Sequence, residues 1–133
     1  SGISYKILAE GDGVYQYKTK DTLVNGVTKQ ALVYPKITVN YTGKLLNGTT
    51  FDENVTTEGF SSSLSRLIPA WQTAFFPKKI GENTIGGLTV AGLTKGSKIR
   101  IVTPSYWAYG NYASGKVPAN SPLDFIITVL NVQ

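Results

Sequence analysis

Apolar and polar residues alternate in several stretches of the chain, and each alternation predicts a strand with one covered face. Ile3, Tyr5 and Ile7 alternate with Ser4 and Lys6, and Tyr15 and Tyr17 with Gln16 and Lys18. Ile37, Val39 and Tyr41 point one way while Lys36, Thr38 and Asn40 point the other, the pattern of a half-buried antiparallel strand. A further alternation runs over 98–102, with Ile99 and Ile101 inward. Residues 123–132 are apolar on both faces, because Ile126 and Leu130 accompany Phe125, Ile127 and Val129; this predicts a central strand covered on both sides. Asn25-Gly26 and Asn47-Gly48 sit between such stretches and predict hairpin tips, the second leading to Phe51.

One region changes period. Ser61-Ser62-Ser63 predicts a loop, after which Ile68, Trp71 and Phe75 fall at i, i+3 and i+7, one face of a helix. Pro69 suits a first helical turn and Pro77 stops the helix, so residues 69–76 are the one good helix in the chain. Residues 77–96, rich in Gly and Lys, predict a long excursion. The sum is an α+β domain: a strongly bent antiparallel sheet of five to six strands packed on one short helix.

Composition narrows the chemistry. A chain of 133 residues makes one domain, large enough to bury roughly two-thirds of its unfolded surface without disulfide or metal. It contains no His, no Cys and no Met. There is thus no imidazole base, no thiol nucleophile and no zinc site of the usual kind, and no metal or cofactor is called for. The absence of Met implies a processed chain, with Ser1-Gly2 as a remnant of trimming. The net charge of +5 invites a nucleic-acid reading, but the longest basic run is Lys78-Lys79, so no nucleic-acid partner is expected. No apolar run is long enough for a transmembrane helix. Zero Cys is compatible with an extracytoplasmic location, periplasmic or membrane-anchored through a missing N-terminus, as well as with a cytoplasmic one.

Three blocks exceed this background. The first is Val39-Asn40-Tyr41-Thr42-Gly43 followed by Gly48-Thr49-Thr50-Phe51-Asp52. The second is Leu67-Ile68-Pro69-Ala70-Trp71, which puts an indole on the helix. The third is Ala108-Tyr109-Gly110, then Val117-Pro118-Ala119-Asn120 and Leu123-Asp124-Phe125. In order and spacing, over about residues 36–76 and 91–133, the chain resembles the FKBP-type peptidyl-prolyl cis-trans isomerases. The resemblance implies a bent sheet wrapped on one short helix, a single domain over 1–133 with its isomerase core at 36–133, and proline-containing polypeptides as substrates. It implies Trp71 as the floor of a proline pocket, with Tyr41, Phe51, Phe60, Leu67, Ile68, Val117 and Phe125 as walls. It further implies the Ile68 N–H as a donor to a substrate carbonyl, the Tyr109 O–H as the donor to the twisting imide, and Asp52 as a polarising carboxylate at the edge. A monomeric folding catalyst follows, with macrolide-type compounds as further ligands.

Each residue also has a plainer reading. Trp71, Phe51 and Phe125 suit a plain core, Val117 and Ile68 either core or wall, and Asp52 a turn cap. Tyr106, Trp107 and Tyr112 are extra rim or surface aromatics. Two insertions depart from the family's minimal domain: about 18–32, a hairpin extension, and 76–90, expected to be exposed and dispensable for folding. Arg66 and Lys116 put basic charge beside proposed pocket residues. The triplets at Asn40, Asn47 and Asn54 match the glycosylation pattern but read as chance or turn chemistry. A second function class keeps the fold without efficient turnover, as a proline-peptide-binding or chaperone module. A third is an unrelated β-domain of a surface protein.

Overall fold

Ten strands, one α-helix and two single-turn 3-10 helices (Leu64–Arg66 and Ser105–Trp107) account for the regular structure of the computed structural model, which describes residues 2–133; Ser1 of the trimming reading lies outside the described residues. In chain order they are β1 (Ser4–Ala9), β2 (Thr19–Val24), β3 (Val27–Leu32), β4 (Lys36–Leu45), β5 (Thr50–Asn54) and β6 (Phe60–Ser63). There follow α1 (Pro69–Phe75), β7 (Lys79–Ile80), β8 (Asn83–Thr84), β9 (Lys98–Thr103) and β10 (Leu123–Val132). The main sheet is antiparallel, in the order β1-β9-β10-β4-β5, with β6 also on β4. β4 is long enough for two partners: its first half pairs with β6, from Lys36↔Ser63 to Val39↔Phe60, and its second half with β5, starting from Tyr41↔Asn54.

The inward alternation of β4, β9 and β10 makes the core. Ile37, Val39, Ile99, Ile101, Leu123, Ile127 and Val129 are buried, and α1 seats Ala70, Trp71, Ala74 and Phe75 on them. Pro69 opens α1, where its missing N–H costs nothing, and the helix ends one residue before the expected position, at Phe75. Both Asn-Gly pairs turn as expected. Asn25 and Gly26 both hold positive φ between β2 and β3, as a type I′ tip requires, and Asn47 Oδ1 accepts from the Thr49 N–H between β4 and β5.

Four expectations are corrected. Residues 61–63 belong to a strand: serine carries no apolar pattern, but the N-terminal half of β4 supplies a ladder for its backbone. Tyr15 and Tyr17 lie outside any strand. Their alternation records packing: buried Tyr17 donates through its O–H to the Leu93 carbonyl at 2.7 Å and meets the rings of Tyr15 and Phe76 edge-on. β10 is central, yet only one face is covered; Ile126 on the other is 38% exposed.

The fourth correction concerns residues 76–90. The β7–β8 hairpin and Val90 are exposed, while Phe76, Pro77 and Leu88 are buried. The end of a helix leaves carbonyls without intrahelical donors. Here the Leu88 N–H binds the Thr73 carbonyl and the Leu93 N–H the Phe75 carbonyl, both at 3.0 Å. A Cβ at Gly87 would fall 1.7 Å from the Phe76 carbonyl oxygen, so this strap closes on the helix end only through a glycine. Through these bonds the segment completes α1.

Candidate functional site

On the helix-facing side of β4 and β10, register places Tyr41 opposite Ile127 and Gly43 opposite Phe125. The β4–β5 ladder then breaks its step. Gly43 pairs with Asp52 and Lys44 with Thr50, which leaves Phe51 as the extra residue of a bulge. A regular strand would send Phe51 and Asp52 to opposite faces; the bulge turns both toward one cavity. Gly43 makes room for this, since a Cβ there would lie 2.7 Å from the Phe51 ring and 2.9 Å from that of Phe125.

The cavity has a volume of about 240 Å³ and is lined by Tyr41, Phe51, Asp52, Phe60, Arg66, Leu67, Ile68, Trp71, Tyr109 and Phe125. Trp71, 4% exposed, lies at its base on the first turns of α1. Tyr41 and Phe125 meet the indole edge-on at 5.1 and 5.5 Å, and Phe75 backs it nearly parallel at 6.5 Å. Phe60 continues the wall from Tyr41 at 6.0 Å and Phe51 from Phe125 at 5.6 Å. Each ring is thus fixed by a neighbour's edge, the arrangement aromatic quadrupoles favour. The Trp71 Nε1–H is buried and has no protein acceptor among the described residues.

The polar groups gather at one edge. The Tyr41 O–H donates to Asp52 Oδ2 at 2.8 Å. Burial, then the hydrogen bond and the charge of Asp52, hold the Tyr41 phenol well above the usual tyrosine range. Burial and the Asp52 carboxylate raise the Tyr109 phenol as well. Both remain protonated donors at neutral pH. Tyr109, 36% exposed, sits on a loop tied by the Gly110 N–H to the Ser105 carbonyl and the Asn120 N–H to the Gly110 carbonyl. The Ile68 N–H, just before α1, donates to no protein acceptor among the described residues.

The chain matches the profile of one protein family, the FKBP-type peptidyl-prolyl cis-trans isomerases, over residues 28–130. It belongs to that family. It is similar to FK506-binding protein 3 of Kluyveromyces lactis, 32% identical over 112 residues, covering 83% of this chain and 23% of that protein. It is also similar to the FKBP-type peptidyl-prolyl cis-trans isomerase FkpA of Escherichia coli, 29% identical over 134 residues, 100% of this chain and 38% of that one. The chain therefore spans a quarter to two-fifths of these relatives. Among solved structures, the crystal structure of FkpA from Escherichia coli superposes with a TM-score of 0.67 at 26% identity, covering 98% of this chain and 48% of that one. The crystal structure of AtFKBP13 shares the fold, with a TM-score of 0.71 at 20% identity over 99% of this chain and 94% of its own.

In this FKBP-type domain nine of the ten residues expected at the site line one cavity, and Val117 does not. Val117 is 2% exposed and exchanges backbone hydrogen bonds with Ser114, so its side chain closes the loop onto the core. Lys116, Tyr106 and Tyr112 are exposed and stand apart from the cavity lining, while Trp107 packs against the core. Arg66, noted in the sequence only as a basic neighbour, is a lining residue. The three asparagine triplets are held in local hydrogen bonds: Asn40 with the Thr56 backbone, Asn47 with the Thr49 N–H, Asn54 with the Thr56 hydroxyl.

Proposed function

We propose that this domain accelerates cis–trans rotation about X-Pro bonds in polypeptides by taking the proline into the Trp71 cavity. The observation that carries the reading is an indole floor walled by Tyr41, Phe60, Phe51 and Phe125, with tyrosine O–H donors along one edge only.

The barrier to X-Pro rotation comes from amide resonance, and the uncatalysed step takes tens to hundreds of seconds. Water stabilises the planar, polar ground state more than the twisted amide, whose conjugation is broken. An apolar enclosure withholds that solvation and so disfavours the planar form. Tyr109 then donates to the imide carbonyl as it turns, the free Ile68 N–H holds a neighbouring carbonyl, and Asp52 polarises the edge through Tyr41. No acid, base or thiol takes part. The same enclosure suits macrolide-type ligands of the kind named in FK506-binding relatives. The reading carries with it a role in client folding and a monomeric state, and it fits a location outside the cytoplasm as well as one within it.

A proline-peptide isomerisation assay tests it. The wild type is expected to exceed the uncatalysed rate, and Tyr109→Phe to lower kcat/KM about three- to tenfold, the worth of one hydrogen bond. A wild type that leaves the rate unchanged leaves only the weak binding-module reading.

A further inference from the structure

Arg66 stands out in a cavity otherwise aromatic, aliphatic or acidic. It is the one cation among the lining residues, and its side chain forms no hydrogen bond or ion pair among the described residues. The ion pair among the described residues is elsewhere, Arg100 with Asp124. The serines before it, Ser61, Ser62, Ser63 and Ser65, bring no countercharge. The one carboxylate in the lining, Asp52, is engaged by the Tyr41 O–H and lies beyond ion-pair distance of Arg66.

The backbone carrying Arg66 is nonetheless fixed. The Gln72 side-chain amide, projecting from α1, donates to the Leu67 carbonyl at 3.0 Å and the Ser65 carbonyl at 3.4 Å, bracketing Arg66 on both sides. Ser63 Oγ accepts from the Ser65 N–H at the start of the same turn. A guanidinium without a partner, rooted in a braced turn at the mouth of a peptide pocket, is a preplaced site for an anionic group. Its planar fork matches a carboxylate in two hydrogen bonds.

We infer that Arg66 sets sequence preference, favouring substrates with an acidic residue directly next to the proline. This rests on the isomerase reading, since only a proline seated on Trp71 brings its neighbour to Arg66. The residue acts on specificity; the rotation itself needs no contact with it. Because Arg66 is exposed, the preference is modest and salt-sensitive.

The experiment compares matched peptides carrying Glu or Gln immediately before, or immediately after, the proline. At low ionic strength kcat/KM is expected to favour Glu over Gln about two- to fivefold on one side, the size of one exposed ion pair. The ratio should fall toward one in Arg66→Gln, recover in part in Arg66→Lys, invert in Arg66→Glu, and shrink for the wild type in high salt. Equal Glu-to-Gln ratios in wild type and Arg66→Gln, on both sides and at low salt, overturn the inference while leaving the isomerase reading intact. If no peptide is turned over, the isomerase reading fails, and titration of the same peptides against tryptophan fluorescence decides the preference. A higher affinity for Glu that Arg66→Gln abolishes supports it, and equal affinities overturn it.

Discussion

The β2–β3 hairpin and the Trp71 cavity are both built on Asn-Gly turns and antiparallel ladders, yet they are held in opposite ways. The hairpin is a two-stranded sheet of its own, and its tip leaves Leu23 73% exposed with Val24 and Val27 also open. The cavity side chains arise from four strands, a helix and two connecting segments, and nearly every ring braces another. A surface that must strip water from a substrate needs fixed walls, since a wall that moves lets water return. Local hairpin chemistry suffices to form a projection; only convergence of distant elements makes an enclosure.

Substitution at each site gives the largest contrast. Trp71→Ala removes a buried ring that three others pack on, and should cost about 3–5 kcal/mol in urea unfolding together with the isomerase rate. Leu23→Ala in the hairpin should stay within about 0.5 kcal/mol and leave the rate alone. A comparable loss at Leu23 would show that the hairpin is part of the core structure. Next in size comes the strap behind the helix. Leu88→Ala should cost about 2–4 kcal/mol, because it empties a buried position on the segment that satisfies the α1 carbonyls. Replacing only residues 81–84 by a short turn should be tolerated, as that tip is exposed. Equal tolerance of both changes would restore the view of the whole segment as dispensable.

Gly43→Ala probes the enclosure more gently. Its added methyl must push the Phe51 and Phe125 rings apart, costing about 1–3 kcal/mol. The rate should fall further than stability alone explains, because the walls move while the floor stays. Adding Phe51→Leu should return part of the stability and little of the rate. If Gly43→Ala leaves both unchanged, the walls are less fixed than the ring contacts indicate.

How much of this could be read in advance follows the same division. β4 and the two Asn-Gly tips were legible because neighbouring residues encode them: alternation states a covered face, and Asn-Gly states positive φ. Residues 61–63 were not legible as a strand, since three serines carry no pattern and their partner lies a whole hairpin away. The bulge at Phe51 was equally hidden, because Thr50-Phe51-Asp52 reads as ordinary alternation and only the β4 register shows the extra residue. The family motifs pointed to the rings around Trp71, but the match at Val117 could not tell a wall from a buried residue closing a loop. Arg66 was visible as a charge, though not as an unpaired one.

The smallest expected effect lies in alkaline stability, and it too separates the two kinds of region. Tyr17 under the strap and Tyr41 and Tyr109 at the cavity all titrate above the usual tyrosine value, with burial the leading cause. An unfolded tyrosine loses its proton near pH 10. Between that pH and the higher folded values, the folded chain holds more protons than the unfolded one, so stability falls as pH rises. The contribution is complete below about pH 10 and is lost as pH climbs through the folded range. Urea unfolding at pH 8, 9.5 and 11 should show the wild type weakening across the last interval. Tyr17→Phe should flatten that decline more than Tyr109→Phe, because Tyr17 is buried while Tyr109 is partly open to solvent. The hairpin has no tyrosine. A wild type that gains stability toward pH 11, or a Tyr17→Phe variant with an unchanged slope, would mean that the phenol under the strap is not shielded as its burial and its bond to Leu93 require.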